Sequence, residues 1–230
     1  MDKIELSIIF PFRERLDYFH TLMQSLIRTT TQPSRIEILI AVDDDDQIVL
    51  EQIDALQEIY FEFRILFFVR PRSVNFIKNY WNFLAEKAQG RWILAINDDS
   101  EFKTDNWDEI LLTKMNAEGD RLADDILHGL IKDGINRRME DPLFPHFSCW
   151  CLQSKEAVNA LGYFYPPKYK TQGADHAVSK TYKNMGRLVS LTEIFIDGKH
   201  SKDLSEEEIA EESIKLQNYI YEKEKKRHGG

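Results

Sequence analysis

The 230-residue chain has few of the residues that build several common kinds of site. Its two cysteines, Cys149 and Cys151, are separated by a single residue, which is neither zinc-ligand spacing nor a disulfide framework. The first of its ten glycines is Gly90. A dinucleotide fingerprint or a P-loop needs glycines directly after the first strand, so that backbone amides approach phosphate oxygens. Both kinds of nucleotide site are therefore excluded, and the two thiols are expected in the core.

Long apolar segments and a leader-like beginning are also missing. No uncharged stretch of the chain approaches the roughly 18 residues that a membrane-spanning helix needs. The first residues, Met-Asp-Lys-Ile-Glu, lack the basic region and following apolar run of a secretory signal. We therefore expect a cytoplasmic protein without a transmembrane segment.

Positive charge is scarce, with 30 lysines and arginines against 39 aspartates and glutamates and a net charge of −9. Such a chain does not grip phosphate backbones by charge alone, so nucleic acid is not an expected partner. The acidic excess is concentrated, because residues 203–230 carry eight acids against five bases. The other concentration comprises seven acids in two short clusters: Asp43, Asp44, Asp45, Asp46, Asp98, Asp99 and Glu101.

What is present is a globular composition, 43% apolar and 12% aromatic, arranged in alternating strand-like and helix-like segments. Apolar runs that begin about 30 residues apart, the length of one strand–helix unit, predict a parallel sheet covered on both faces. The predicted fold class is doubly wound α/β with a looser second half. We expect one domain over 1–203, split into halves 1–103 and 104–203, followed by a charged helix and tail over 204–230. The four predicted strands are Ile4–Phe10, Ile36–Val42, Arg64–Val69 and Trp92–Ile96.

Helix-period apolar residues lie between these strands and after them. The clearest pattern keeps one face from Val74 through Ala88 and predicts a helix of four turns. Later segments are predicted as a helix capped by Thr104 or Asp105 and ended by Gly119, a helix over Ala174–Met185, a strand over Leu188–Thr192, and a final helix after Ser205.

Charged residues follow all four predicted strands, where ligands of open parallel sheets bind. Arginines follow strands one and three, and carboxylates follow strands two and four. Each acidic cluster alone is typical of a solvated turn with a helix N-cap. Together, they indicate a site in which Mg²⁺ or Mn²⁺ binds carboxylate oxygens and neutralises a phosphorylated ligand. Asn97-Asp98-Asp99 is the expected position of that cation.

The chain also resembles a known family, the inverting GT-A glycosyltransferases, in particular family 2. The acidic motif before the second helix resembles the family's nucleobase contact, and the run ending in Asn97-Asp98-Asp99 is similar to its D-x-D motif. The segments that carry the resemblance are Ile8–Arg15, Ala41–Asp45, Asn82–Asp99, Leu161–Phe164, Gly173–His176 and Asn184–Arg187.

The resemblance implies transfer of a sugar from a nucleotide diphosphate sugar, expected to be a uridine one, to an acceptor hydroxyl of a glycan or another molecule. It implies Asp175 as catalytic base, kept ionised by the start of its helix, and Asp99 with His200 as ligands of Mn²⁺ or Mg²⁺. Residues expected to bind the nucleotide sugar are Pro11, Arg13, Asp43, Asp44, Arg70, Lys78, Asn82, Asn97 and Asp98.

Three departures from the family pattern keep alternatives open. Asn97 replaces the first aspartate of D-x-D, Ala174 replaces the glutamate before the base, and Asp45-Asp46 replaces a Gly-Ser pair. One alternative is a relative that binds nucleotide sugars or glycans without turnover. Another is a metal-dependent phosphoryl-transfer enzyme with a similar sheet.

Overall fold

The protein was studied as a computed structural model, which describes residues 3–122, 124–134, 148–170 and 173–198. These residues build an eight-stranded mixed sheet with the strand order β3-β2-β1-β4-β7-β6-β8-β5. The strands are β1 (Leu6–Phe12), β2 (Ile36–Asp43), β3 (Arg64–Arg70), β4 (Trp92–Ala95), β5 (Ser100–Phe102), β6 (His128–Asp133), β7 (Cys151–Ser154) and β8 (Leu188–Gly198).

Helices cover the sheet on both sides. Two short turns of other helical types, Pro33–Arg35 and the π-helical Ile77–Trp81, precede β2 and α4 respectively. The α-helices are α1 (Leu16–Thr29), α2 (Gln47–Leu50), α3 (Ile53–Ile59), α4 (Asn82–Lys87), α5 (Trp107–Leu122), α6 (Lys155–Leu161) and α7 (Ala174–Asn184).

The first four strands are parallel to one another. β1, β2 and β4 are buried between two apolar cores, as the continuous apolar runs predict, whereas β3, at the edge of the sheet, is only partly buried. Alternate residues of β1 enter opposite cores: Ile8 and Phe10 pack on the α1 side, and Ile9 packs on the α4 side. The α/β fold class and the four predicted strands are confirmed, with boundaries shifted by at most two residues.

The second half extends the same sheet with mixed strand directions. β7 is antiparallel to both β4 and β6, β8 is parallel to β6, and β5 is antiparallel to β8. The carboxyl ends of β1 to β4, β6 and β8 therefore meet at one edge, where β5 also begins. This edge, which we call the carboxyl edge, positions the candidate site.

Several sequence-based boundaries were wrong. The helix predicted from Val74 to Ala88 is present over residues 76–87, but it contains a π-helical turn, and Val74, 83% exposed, precedes it. Gly119 does not end α5, which continues to Leu122, because this glycine packs tightly against the side chains of Arg91 and Asp125. The late strand continues well beyond Thr192, and the short strand β5 was not predicted.

Gly90 fixes how β4 approaches β1. A Cβ at this position would lie 2.7 Å from the backbone nitrogen of Ser7, closer than real Cβ atoms come. The Gly90 amide donates to Ser7 Oγ (2.9 Å), and that hydroxyl donates to the buried carboxylate of Glu37 (2.7 Å). The glycine thus allows β4, and the acidic loop that follows it, to take a fixed place beside β1.

Internal contacts group the chain into the units Met1–Lys199 and His200–Gly230. The second unit, with the predicted final helix, lies outside the described residues. In the ranges given above, no helix is long and apolar enough to cross a membrane.

Candidate functional site at the carboxyl edge

The acidic cluster after β2 is held by side chains from the loops after β1 and β3. Arg13 donates to Asp43 (3.0 Å) and to Asp45, and Arg72 donates to Asp45 (3.2 Å). The Tyr80 hydroxyl also donates to the buried Asp43. Arg13 and Arg72 lower the pKa of Asp45, mainly through the Arg13 hydrogen bond. The predicted meeting of basic and acidic strand ends is therefore present at this cluster.

The loop between β1 and α1 has a strained backbone that separates its two arginines. Glu14 has a φ of +59°, in the left-handed region that side-chain-bearing residues rarely adopt. The Glu14 amide donates to the buried carboxylate of Asp46 (2.8 Å), whose other oxygen accepts from Val49 N (3.2 Å) at the start of α2. The N-cap interpretation of the aspartate run is thus correct for Asp46, whereas Asp43 and Asp45 contact Arg13.

The second acidic cluster lies in the loop between β4 and β5. Asp98 is buried and accepts two hydrogen bonds from Arg15, one of them 3.0 Å from Nε to Oδ2. Asp99 Oδ2 lies 3.7 Å from Arg15 Nη1, and Asn97 is exposed. Burial raises the pKa of Asp98 to about 6, with a further contribution from Asp99, although Arg15 opposes the shift.

The donor set fits a divalent cation only as part of a coordination sphere. No group of three potential metal ligands occurs within the described ranges. Asp98 and Asp99 are nevertheless adjacent carboxylates, and Mg²⁺ is commonly bound by one or two carboxylates plus phosphates of the substrate. The guanidinium of Arg15 already places a cation between them. The second predicted ligand, His200, lies outside the described residues and stays a prediction.

The remaining residues predicted to bind the donor are arranged around the first cluster. Arg70 pairs with Asp43 in the β2–β3 register and places its guanidinium 3.9 Å from the Phe83 ring centre. Pro11 lies half-buried in β1, Lys78 is exposed, and the exposed Asp44 accepts from the Arg72 amide (3.2 Å). These residues all lie near the carboxyl edge, and their contacts with a donor stay predictions.

Asn82 serves a structural purpose that the sequence did not reveal. Its side-chain oxygen accepts from the amides of Phe164 (3.1 Å) and Tyr165 (2.7 Å), and its nitrogen donates to the Tyr165 carbonyl (2.9 Å). The amide therefore joins α4 to the segment after α6. Direct contact between Asn82 and a donor stays a prediction.

Asp175 occupies the first turn of α7, directly after Gly173, whose φ of +82° permits the sharp entry. Its Oδ1 accepts from the His176 amide (2.8 Å). Burial raises its pKa to about 6, and Asp133 at the end of β6 adds to the rise. The helix start alone does not set this pKa, because desolvation outweighs the hydrogen bond to the helix backbone, although a pKa of about 6 still leaves Asp175 ionised at neutral pH.

Two buried polar contacts dock α7 onto the sheet. The Tyr182 hydroxyl donates to Gln153 Oε1 (2.9 Å), and Ser179 Oγ lies 3.1 Å from His128 Nε2. Burial lowers the pKa of His128 to about 4, so this imidazole is neutral at neutral pH and accepts from Ser179. The sequence carried one signal for these contacts, namely polar residues inside otherwise apolar strand and helix faces.

A cavity of about 670 Å³ lies at the other edge of the sheet, near the start of β4. Its acids Asp120 and Asp125 are paired with Arg91 at 2.7 and 2.6 Å. This cavity is separate from the carboxyl edge. Of the two cysteines predicted in the core, Cys151 is buried and Cys149 is half-buried; neither forms a disulfide.

The order of these motifs along the fold agrees with one sequence family. Residues 7–164 match the family described as Glycosyl transferase family 2. The chain belongs to this family. No curated protein is significantly similar to the chain in sequence.

Solved structures of glycosyltransferases share the fold at low sequence identity. The structure of S. aureus TarS 1-349 in complex with UDP has a TM-score of 0.63 and 16% identity, covering 84% of this chain. The structure of the mannosyltransferase PcManGT from Pyrobaculum calidifontis, in complex with GDP-Man and Mn²⁺, has a TM-score of 0.62 and 12% identity, covering 88% of this chain. The structure of GalNAc-T7 with UDP, GalNAc and Mn²⁺ has a TM-score of 0.68 and 14% identity, covering 87% of this chain.

The match covers only part of each of these larger proteins. The chain spans 60% of TarS 1-349, 59% of PcManGT and 44% of GalNAc-T7. The similarity confirms a GT-A type fold for this family member.

Proposed function

We propose that the protein is a metal-dependent inverting glycosyltransferase that transfers a sugar from a nucleotide diphosphate sugar to an acceptor hydroxyl. Family membership supports sugar transfer. The observation that carries the proposal is a difference between carboxylates near the carboxyl edge. Asp98 and Asp99 lie beside the guanidinium of Arg15, at a place suited to a positive charge, whereas Asp175 is a buried carboxylate with a raised pKa.

Inversion requires the leaving diphosphate and the attacking hydroxyl to lie on opposite faces of the anomeric carbon. Asp99 would hold a divalent cation that stabilises negative charge on the leaving diphosphate. Asp98, which the family resemblance assigns to the donor, is adjacent to Asp99 and shares the guanidinium of Arg15 with it, so we assign it to the same cation. Asn97 is exposed beside them and would contact the donor ribose or sugar. Arg13 and Arg70 offer planar guanidinium groups for diphosphate or nucleobase oxygens.

Asp175 would accept the proton of the acceptor hydroxyl. A pKa of about 6 leaves this carboxylate ionised at neutral pH yet more basic than an ordinary aspartate, as general-base catalysis favours. Asp133, whose charge contributes to that pKa, ends β6 at the carboxyl edge. The candidate base and the acid pair therefore belong to the same edge of the sheet.

The acceptor is expected over the segment that Asn82 and Gln153 hold in place. Gln153 Nε2 donates to the Phe164 carbonyl (2.9 Å), next to the amides that Asn82 accepts from. Phe164 and Tyr165 are buried and belong to the core. Tyr163 and Tyr169 are half-buried, so their rings remain accessible to an acceptor sugar.

We propose that the nucleotide of the donor sugar is uridine diphosphate. UDP is present in the similar structures of TarS and GalNAc-T7, whereas PcManGT contains GDP-Man. Asp43 and Arg13 together offer an acceptor and a donor of hydrogen bonds, which complements the N3–H and carbonyl groups of uracil.

Calorimetric titration of UDP, with and without Mn²⁺, tests the site in the wild type and in Asp99→Asn. We expect Mn²⁺ to strengthen UDP binding to the wild type by about a hundredfold, the size of effect that a metal ligand supplies. Asp99→Asn should bind UDP as the wild type does without metal. The matched control is Asp54→Asn, on the exposed surface of α3.

Equal UDP affinity with and without Mn²⁺ in the wild type would contradict metal dependence. Incubation of the wild type with a panel of nucleotide sugars, followed by mass spectrometry, tests turnover separately. Tight Mn²⁺-dependent UDP binding without hydrolysis or transfer of any donor would instead favour the alternative of a non-catalytic binding protein.

A further inference from the structure

Arg15 occupies the position that a metal ion would need at the acid pair. Its Nε and Nη2 donate to the two different oxygens of Asp98, so that both carboxylate oxygens are engaged by one guanidinium. Its third nitrogen, Nη1, lies 3.7 Å from Asp99 Oδ2. Each Asp98 oxygen already accepts a hydrogen bond from Arg15, so a divalent cation that binds either oxygen lies close to the positive guanidinium and competes with it.

Arg15 is held much less tightly than the carboxylates that it covers. Its side chain is 45% exposed, whereas that of Asp98 is 3% exposed and that of Asp99 is 13% exposed. Its other contact is with the ring of Tyr18, 5.4 Å away. The guanidinium therefore has open solvent on one side and can turn away from Asp98, while the carboxylates stay fixed in the loop after β4.

We propose that Arg15 and the divalent cation occupy the Asp98–Asp99 pair in alternation, so that Arg15 must leave before the metal binds. This proposal rests on the proposed function. The physical reason is that Arg15 and the cation require the same oxygens, and two cations so close together repel each other. Without metal, Arg15 compensates the buried Asp98; with metal, the cation takes over that compensation.

The displaced guanidinium has a partner when the donor is bound. A nucleotide diphosphate brings negative oxygens to the cation, and an arginine released beside them pairs readily with phosphate oxygens. Cation and nucleotide then strengthen each other's binding through Arg15 as well as through direct contact. By linkage, the gain in Mn²⁺ affinity caused by UDP equals the gain in UDP affinity caused by Mn²⁺.

Mn²⁺ binding without nucleotide tests the alternation directly and does not depend on activity. Free Mn²⁺ is measured by its electron paramagnetic resonance signal at pH 8, above the pKa of Asp98. Arg15→Gln should bind Mn²⁺ about tenfold more tightly than the wild type, because it removes a charge-assisted competitor of moderate strength. Arg121→Gln is the matched control and should bind Mn²⁺ as the wild type does, since Arg121 is exposed on α5 and pairs with Glu118.

A second measurement separates competition from a general loosening of the loop. Saturating UDP should increase the Mn²⁺ affinity of Arg15→Gln by a smaller factor than that of the wild type. The reason is that the variant lacks the part of the coupling between Mn²⁺ and UDP that Arg15 supplies. Arg15→Lys keeps the charge but cannot bridge both Asp98 oxygens. Its Mn²⁺ affinity should therefore lie between those of the wild type and Arg15→Gln. It replaces Arg15→Gln as the test if thermal unfolding shows that the glutamine variant does not fold.

Unchanged or weaker Mn²⁺ binding by both Arg15 variants, with the wild type binding measurably, overturns the alternation and leaves the metal site of the proposed function standing. Absence of Mn²⁺ binding by every protein, even with saturating UDP, overturns the alternation and the proposed metal dependence together.

Discussion

Two carboxylates from different halves of the molecule have the same raised pKa but different surroundings. Asp98, in the half built from parallel strands, and Asp175, in the mixed half, both have a pKa of about 6 because of burial. Asp98 carries a bidentate arginine, whereas no lysine or arginine in the described ranges forms an ion pair with Asp175. Asp98, with the guanidinium of Arg15 beside it, is suited to exchange that cation for a metal ion. Asp175, without a basic partner in those ranges, is suited to accept a proton.

The largest effect is expected from a substitution that removes only the proposed proton acceptor, Asp175. Asp175→Asn should lower kcat for sugar transfer about a thousandfold, the contribution typical of a positioned general base. UDP and Mn²⁺ affinities measured by calorimetry should stay unchanged, because the donor half keeps its side chains. In the wild type, kcat/KM should rise with pH through about 6 and then level, since only the ionised carboxylate accepts a proton.

This pH dependence provides the control for Asp175. In the variant, the residual activity should lack the rise near pH 6. A variant that keeps both wild-type turnover and the same pH profile would show that another group accepts the proton. His176, its neighbour, is then the next group to replace.

The next effect concerns stability and the burial of Asp98. Its folded pKa of about 6 lies above the ordinary value of 3.8, so the folded state binds more protons than the unfolded state between about pH 4 and 6. The free energy of unfolding should therefore fall by about 2 kcal/mol as pH rises through that window. Asp98→Asn should remove this contribution in urea unfolding at a series of pH values and leave the similar contribution of the buried Asp175 in place.

Asp45 gives the opposite sign and serves as the matched control. Its pKa is lowered by the hydrogen bond from Arg13, so it contributes stability at neutral pH that is lost as pH falls through its folded pKa. Asp45→Asn should weaken the acid-side loss of stability and leave the Asp98 contribution in place. The same change in both variants would contradict the assignment of burial to Asp98 alone.

The smallest effect concerns the contact that docks α7. Tyr182→Phe leaves Gln153 Oε1 without its hydroxyl donor and should cost about 1 kcal/mol of unfolding free energy. It should also lower kcat more than it changes UDP affinity, because it loosens the helix of Asp175 and spares the donor half. Tyr163→Phe is the control, since Tyr163 is half-buried and has no described hydrogen bond; equal losses in both variants would contradict a specific role for Tyr182.

The two halves also differ in how far their structure could be predicted. β1, β2 and β4 are continuous apolar runs because they are buried on both faces, and such runs are visible in sequence. β5 and β7 have three and four residues, too few to show a period. The start of the helix before β4 was placed too early because Val74, although apolar, lies in solvent before the helix.

The candidate site was predictable in position and less so in its contacts. Topology alone requires that the ends of parallel strands meet, which brings Arg13 to Asp43. Which arginine contacts which cluster depends on the left-handed backbone of Glu14 and on the hydrogen bond from its amide to Asp46. Neither feature has a sequence signature. The burial that raises the pKa of Asp175 depends on packing between distant segments, which no local pattern records.

The pairing of β5 with β8 determines when the acidic loop can be completed during folding. Ser100, the residue after Asp99, pairs with Gly198, which follows it by roughly a hundred positions in the chain. Contacts between such distant residues form slowly, because a long loop must be closed before they stabilise anything. During synthesis, β1 to β4 can be complete before β8 has been made, so the short strand that ends the loop carrying Asp98 and Asp99 cannot find its partner until nearly two hundred residues have been synthesised.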